Sequence, residues 1–500
     1  MPTSSPSLTD LWPRGVAANT AAPADVLLRL LDPAAGEARR ILCEERRPPD
    51  EVMDAIVVHP EWRVRRSLAG NPHIRPAQRG RLVEDPHDLV RATVAAGPRP
   101  RTRPPQPLPD DVVVTLLTAR EPAEPGLLTA GEIVSELLSS WQVTASFRYR
   151  MRGHEHPAVR YLAMDVWGLL TPEEQEALLG DPDPDVRSAA ARRRAGNLAA
   201  GTEDLPEHGR VRWQILHNDP LSDAAVAAAM ADPESRWCIA GNRHTPADAV
   251  ARLARDADPG VRLRVAARAG LDQAVWAELA RDPHEQVRTR ARVQPLPRTP
   301  EQCRAVDHEM DEGDHDCTCT LLESCTEPDL DWYRACAESG EVVLRLVAAT
   351  FPALPADLVA RLAQDPHEEV RHRLAVRHPL APAATVLAAF VARPRQRAHL
   401  LMQSRLPRTG LSHLLDHEDP EVRMLAAADP TLRQAPAELL ADPDDRVRRA
   451  AAANPLFAGE TLEALLHDPV TAEGAAANPS LPAARLHALL DRADLPRLTR

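Results

Sequence analysis

Thiol, imidazole and carboxylate groups crowd into one part of this chain. Five of its seven cysteines, Cys303, Cys317, Cys319, Cys325 and Cys336, lie beside His308 and His315, and between Glu301 and Glu338 twelve carboxylates face two arginines. Zinc asks for thiolate and imidazole ligands within tetrahedral reach, which His315, Cys317, Cys319 and Cys325 could supply. Their C-x-C step is not the paired C-x-x-C spacing of a zinc finger. The stretch therefore also reads as a worn repeat with buried thiols under an acidic loop, or as a partner-docking or redox-sensitive loop. Two further histidine groupings offer less. "HEEVRH", His367 to His372, is one residue longer than the H-E-x-x-H of zinc proteases, and five helical steps turn the two rings about 140° apart. "HEH" at 154 to 156 reads as a solvated loop. No G-x-S-x-G and no dinucleotide-binding glycine fingerprint occurs.

The charged residues that recur are an aspartate and an arginine. Asp85 and Arg91, Asp181 and Arg187, Asp256 and Arg262, Asp282 and Arg288, Asp365 and Arg371, and Asp442 and Arg448 each stand six residues apart. Six helical steps leave the two side chains about 120° apart, so they do not meet within one unit, although between neighbouring units they can. Many equivalent copies suit architecture better than a site. We expect these residues to link repeats, an array of ligand-binding arginines being the alternative.

The residue before each arginine marks the period: Val64, Val90, Val159, Val186, Val211, Ser235, Val261, Val287, Leu344, Val370, Val422 and Val447, most of them 24 to 27 apart. Worn copies fall at Gln396, near Ala38, near Cys319 and in "DPVTAEGAAANPSLP", which makes roughly fifteen units in all. Within a unit, Asp-Pro predicts a helix start, the carboxylate capping free N–H groups and the proline tolerating the first position. "DPHEE" would place Glu368 in a capping box. Val370 and Leu374 share the buried face. A proline about eight residues after the marked valine, as in "GNPHIRP", "AANPLF" and "AANPSLP", stops the helix. A second short piece follows: Pro355 opens one with Leu358 and Leu362 on one side, and Leu486, Leu489 and Leu490 repeat the pattern. Neither piece could bury its stripe alone, but stacked copies make a continuous core.

The consensus "DPxxxVRxxLAxNPxxPxxxLxxL", in residues 60–96, 181–296 and 341–490, resembles the leucine-rich repeat variant family and, more loosely, HEAT-type repeats. The resemblance implies an all-α, right-handed superhelical solenoid in which an α-helix alternates with a second helical piece. It also implies that Asp and Arg link neighbouring repeats. The family's founding member carries an iron–sulfur cluster on a cysteine-rich N-terminal segment; here Cys43 stands alone among the first hundred residues, so no cluster, and no other cofactor, is carried over.

Composition narrows the chemistry. All 60 basic residues are arginine and none is lysine, which removes Walker phosphate loops, Schiff-base enzymes and protein kinases. A net charge of −13 argues against a generic nucleic-acid coat. No secretory leader or membrane-spanning apolar run is legible, and an odd number of cysteines fits reduced thiols, so the expectation is a cytosolic protein.

We expect a disordered tail over 1–23, repeats over 24–96, a Pro/Arg-rich linker over 97–109, an irregular helical segment over 110–155, a central array over 156–296, the acidic Cys-rich insertion over 297–340, a C-terminal array over 341–492 and a tail over 493–500. Trp62, Trp213 and Trp237 lie near the marked positions and read as packing between units, base stacking being the alternative. The function expected of such a surface is non-enzymatic binding of a macromolecular partner, most simply a protein. The alternatives are a HEAT-like nucleic-acid-binding protein or DNA glycosylase-like enzyme, and a metal- or redox-responsive adaptor acting through 297–340.

Overall fold

The computed structural model describes residues 6–98, 106–119, 126–140, 142–195, 199–207, 209–310 and 329–497. Among these the protein is an all-α helical repeat protein: short helices follow one another throughout and no strand forms, Ala200 and Leu221 making an isolated bridge. Each unit pairs two short helices. The marked residues Val64, Val90, Val159, Val186, Val261, Val287, Val370, Val422 and Val447 are all buried, while Leu344 is half-buried. Leu358, Leu362, Leu374, Leu486, Leu489 and Leu490 are buried as well. The second helices begin directly after a proline, as in Ala247–Leu253 after Pro246, Ala356–Leu362 after Pro355 and Ala483–Arg492 after Pro482.

The first helix of a unit does not always start where Asp-Pro suggests. Pro259–Ala266 does: the Asp258 carboxylate accepts the Gly260 N–H at 2.8 Å and Pro259 takes the first position. In the unit of the "DPHEE" motif the helix is Glu368–Arg377, its N-cap is His367, and no capping box forms around Glu368. Asp365 lies outside that helix, accepting the His367 N–H at 2.8 Å. Two aspartate positions, four and six residues before the arginine, thus have separate duties. The nearer one caps its own helix, and the farther one faces the preceding unit.

That farther aspartate receives the arginine of the unit before it. Arg262 reaches Asp282 through Nε at 2.7 Å and Nη2 at 3.0 Å, while its Nη1 donates to the carbonyls of Asp256 and Ala257 at 2.7 and 3.2 Å. Arg65–Asp85, Arg160–Asp181, Arg345–Asp365 and Arg423–Asp442 pair in the same way, at 2.6 to 2.8 Å, and Arg236 forms an ion pair with Asp256 at 2.7 Å. The planar guanidinium fork suits this double duty and an ammonium would not. Arg91, Arg187, Arg288, Arg371 and Arg448 keep the grip on their own backbone, at 2.5 to 2.7 Å, without a carboxylate partner among the described residues.

A second ladder runs along the helix C-termini, where orphan carbonyls need donors. The buried Asn454 amide donates to the carbonyls of Ala427 and Asp429, both at 2.8 Å. Asn71 caps Cys43 and Arg46, and Asn242 caps Leu216 and Asp219. Arg46, Arg268 and Arg298 perform the same task with a guanidinium.

Residues 1–143 with 382–500 form one compact unit, and 144–315 with 320–381 another. In the first, the segment read as a disordered tail is instead the helix Leu8–Ala18, with Leu11, Trp12, Val16 and Ala17 buried. It stacks on Ala472–Ala476. Asn478 caps the carbonyls of Ala452 and Asn454, Asn19 caps those of Ala476 and Asn478, and Arg46 caps those of Ala17 and Asn19. The carbonyl ladder therefore passes from the C-terminal repeats to the N-terminal ones without a break. Residues read as a C-terminal tail take part too, since Arg29, almost fully buried, donates to the carbonyls of Leu495 and Pro496.

Arginine partners hold Asp181, Asp282 and Asp442 below the ordinary aspartate range. A lowered carboxyl stabilises the fold above its unfolded value, about 3.9, and that contribution disappears as pH falls through the folded value. The urea midpoint is therefore expected to stay level from pH 7 to about 5 and to fall below about pH 4. With Asp282 replaced by Asn, the acid-side slope becomes shallower.

Candidate binding cleft

Between Arg212 and Arg236, in the 144–381 unit, the ladder step is shortened. Arg236, Arg262 and Arg288 follow at intervals of 26 residues, but Arg212 and Arg236 are only 24 apart. Met230 consequently stands six residues before Arg236, where the following units carry Asp256 and Asp282. The one aspartate left, Asp232, is four residues before the arginine and caps its helix, Pro233–Gly241, by accepting the Glu234 N–H. It also accepts the Ser235 hydroxyl, which holds its carboxyl below the usual range. Arg212 is left 3.5 Å from it, donating instead to Ser235 Oγ at 3.1 Å. The Asp232 side chain is 41% exposed, against 2–8% for the ladder aspartates. Losing two residues has thus opened the seam between two repeats.

The opening is a cleft of about 800 Å³ between helices Arg210–Asn218 and Pro233–Gly241, within the range of small-ligand and side-chain pockets. Its wall includes Trp213, Leu216 and Cys238, with Glu207, Asp232 and Glu234 set against Arg212, the one cation in it among the described residues. Trp213 is 45% exposed. Its ring lies against His217 (centroids 4.7 Å) and Trp237 (6.1 Å), and Arg264 covers Trp237 at 3.9 Å. Trp237 is thus braced by a cation already, whereas Trp213 offers indole surface to a newcomer. Trp62 is different, being stacked on His87 of the next unit at 4.1 Å.

No family model matches this chain, and no curated protein matches it. Its chemistry must be read from the side chains. Ser235 donates to Asp232 and has no imidazole hydrogen-bonded to it among the described residues. Burial pushes the Cys238 thiol above its ordinary value, and Cys43 and Cys336 up to about 12, so these thiols stay protonated near neutrality. His315, Cys317, Cys319 and Cys325 lie outside the described residues; Cys303 and Cys336 are buried. No group of three or more metal-ligating side chains is assembled among the described residues. His154 and His156 serve their own backbone, accepting the N–H groups of His156 and Ala158.

The sequence reading marked Ser235 and the tryptophans but missed Glu207, Asp232 and Glu234 as a group. The available signal was the interval of 24 followed by 26, which moves an aspartate from the ladder into a capping position.

Proposed function

We propose that this chain is a non-enzymatic repeat protein that recognises another protein, seating a basic side chain of its partner against Trp213. The observation that carries this reading is the broken ladder step: among the described residues, one exposed indole and three carboxylates share a cleft with one arginine. A guanidinium or ammonium entering there gains the π-face of Trp213 and the charge of Glu207, Asp232 and Glu234. In this reading the repeats form a right-handed solenoid akin to the leucine-rich repeat variant and HEAT-like proteins, and the Asp–Arg ladder supports that kinship. A nucleic-acid partner would be better served by an excess of cations around the indole, and among the described residues carboxylates outnumber them here.

Fluorescence anisotropy against arginine- and lysine-containing peptides, acidic peptides, and single- and double-stranded oligonucleotides at about 0.15 M salt tests it. We expect basic peptides alone to bind saturably. Trp213→Ala should weaken them about fivefold, since a cation–π contact at a part-exposed site is worth about 1 kcal/mol, and Glu207→Gln with Glu234→Gln should weaken them further. Oligonucleotide binding without basic-peptide binding would overturn the reading.

A further inference from the structure

A smaller pocket of about 330 Å³ in the same unit carries the opposite charge character and plays no part in the cleft. Arg192 and Arg193, in the last turn of helix Pro184–Ala195, and Arg243, just beyond helix Pro233–Gly241, contribute three guanidiniums to its wall. The ladders explain why they gather here. Arg193 stands seven residues after Val186, as Asn242 does after Ser235 and Arg268 after Val261, so it occupies the carbonyl-capping position of its unit. It does not cap. Its side chain is 53% exposed and lies 3.6 Å from Asp165, which is also 3.5 Å from Arg148. Arg268 donates to the carbonyl of Arg243 as well as to that of Asn242, fixing the backbone that presents Arg243.

The donors are largely unspent. Arg192 makes no hydrogen bond or ion pair among the described residues, and Arg243 makes a single one, from Nε to the ring of His244 at 3.0 Å. Trp167, also in the wall, is 5% exposed, and its indole N–H has no acceptor among the described residues. A buried donor left without an acceptor is costly, and an oxygen-bearing occupant within its reach would relieve that cost. Among the described residues three guanidiniums face two carboxylates, Asp165 and Asp219, so the wall stays positive. Burial, and then the neighbouring Arg243, push the His244 imidazole down towards its neutral form. Asp165 is already shared between two arginines.

We propose that this pocket binds a phosphate-type oxyanion, free or as a small monoester. Converging guanidinium forks match the several oxygens and the near-double charge of a phosphoryl group better than they match a carboxylate. The volume leaves room for the anion together with an ester substituent.

The test is calorimetric titration of the full chain with inorganic phosphate and with O-phosphoserine, each against acetate and chloride at matched ionic strength, in the natural protein and in Arg192→Gln/Arg243→Gln. Neither arginine holds up the fold, so the helical circular dichroism of the variant should match the parent's. The expected result is saturable phosphate binding, weakened at least tenfold in the double variant. Tighter phosphoserine binding would identify the ester as the ligand, and phosphate binding alone the free anion. Equal heats from acetate or chloride, no saturable phosphate binding, or unchanged affinity in the double variant would overturn the proposal. None of these results depends on whether peptides bind the Trp213 cleft.

Discussion

Asp282→Ala is expected to destabilise the 144–381 unit by roughly 3 kcal/mol, read as a drop in the urea midpoint, because removing one partner strands a buried charge. The Asp282 side chain is 5% exposed and Arg262 12%. The carboxylate takes two donors from Arg262 and, through Oδ1, the His284 N–H at 2.8 Å. Alanine leaves all three without that acceptor, at the joint between two repeats. Asp282→Asn keeps one oxygen and should recover part of the loss. Glu278→Ala provides the contrast, since Arg255–Glu278 has an equally short contact of 2.7 Å but side chains 65% and 42% exposed. An ion pair that open is screened by solvent, and its removal should leave the midpoint unchanged. Equal losses from Asp282→Ala and Glu278→Ala would show that the ladder owes nothing to burial.

The same contrast explains what the sequence could disclose. The Asp–Arg ladder is legible because both residue types persist and their spacing forbids contact within a unit, leaving the neighbour as partner. The carbonyl ladder is obscured because an amide at Asn71, Asn242 and Asn454 and a guanidinium at Arg46, Arg268 and Arg298 perform one task with different letters. Asp-Pro is ambiguous in the same way: Asp258-Pro259 caps a helix, whereas Asp365-Pro366 precedes one and serves the unit before it. The cleft lies deeper still. Nothing about Glu207, Asp232 or Glu234 is unusual by itself, and only the two-residue shortening, converted by packing into a loosened arginine, brings them around Trp213.

The N-terminal helix escaped notice because "LTDLWPRGVAA" contains a proline and a glycine. Both have places in the packed helix. A Cβ on Gly15 would lie 2.1 Å from the Glu473 carbonyl oxygen, and one on Gly474 2.3 Å from that of Arg449, so small residues let three successive helices approach closely. Trp12 anchors this stack. It is 2% exposed, donates its indole N–H to the Leu466 carbonyl at 2.8 Å, and carries Arg492 over its ring at 4.6 Å. Trp12→Ala should therefore cost about 3–5 kcal/mol, as truncation of a buried tryptophan does. The location of the damage is the more telling readout. In a stack each repeat is held by its neighbours, and in this unit the repeat at 472–476 is neighboured by residues 8–18. Hydrogen exchange should then accelerate across 459–490, far from residue 12 along the chain, as well as in the helix Glu37–Glu44 on its other side. Faster exchange confined to residues 8–18 would mean that the helix merely lies on the C-terminal repeats without completing their array.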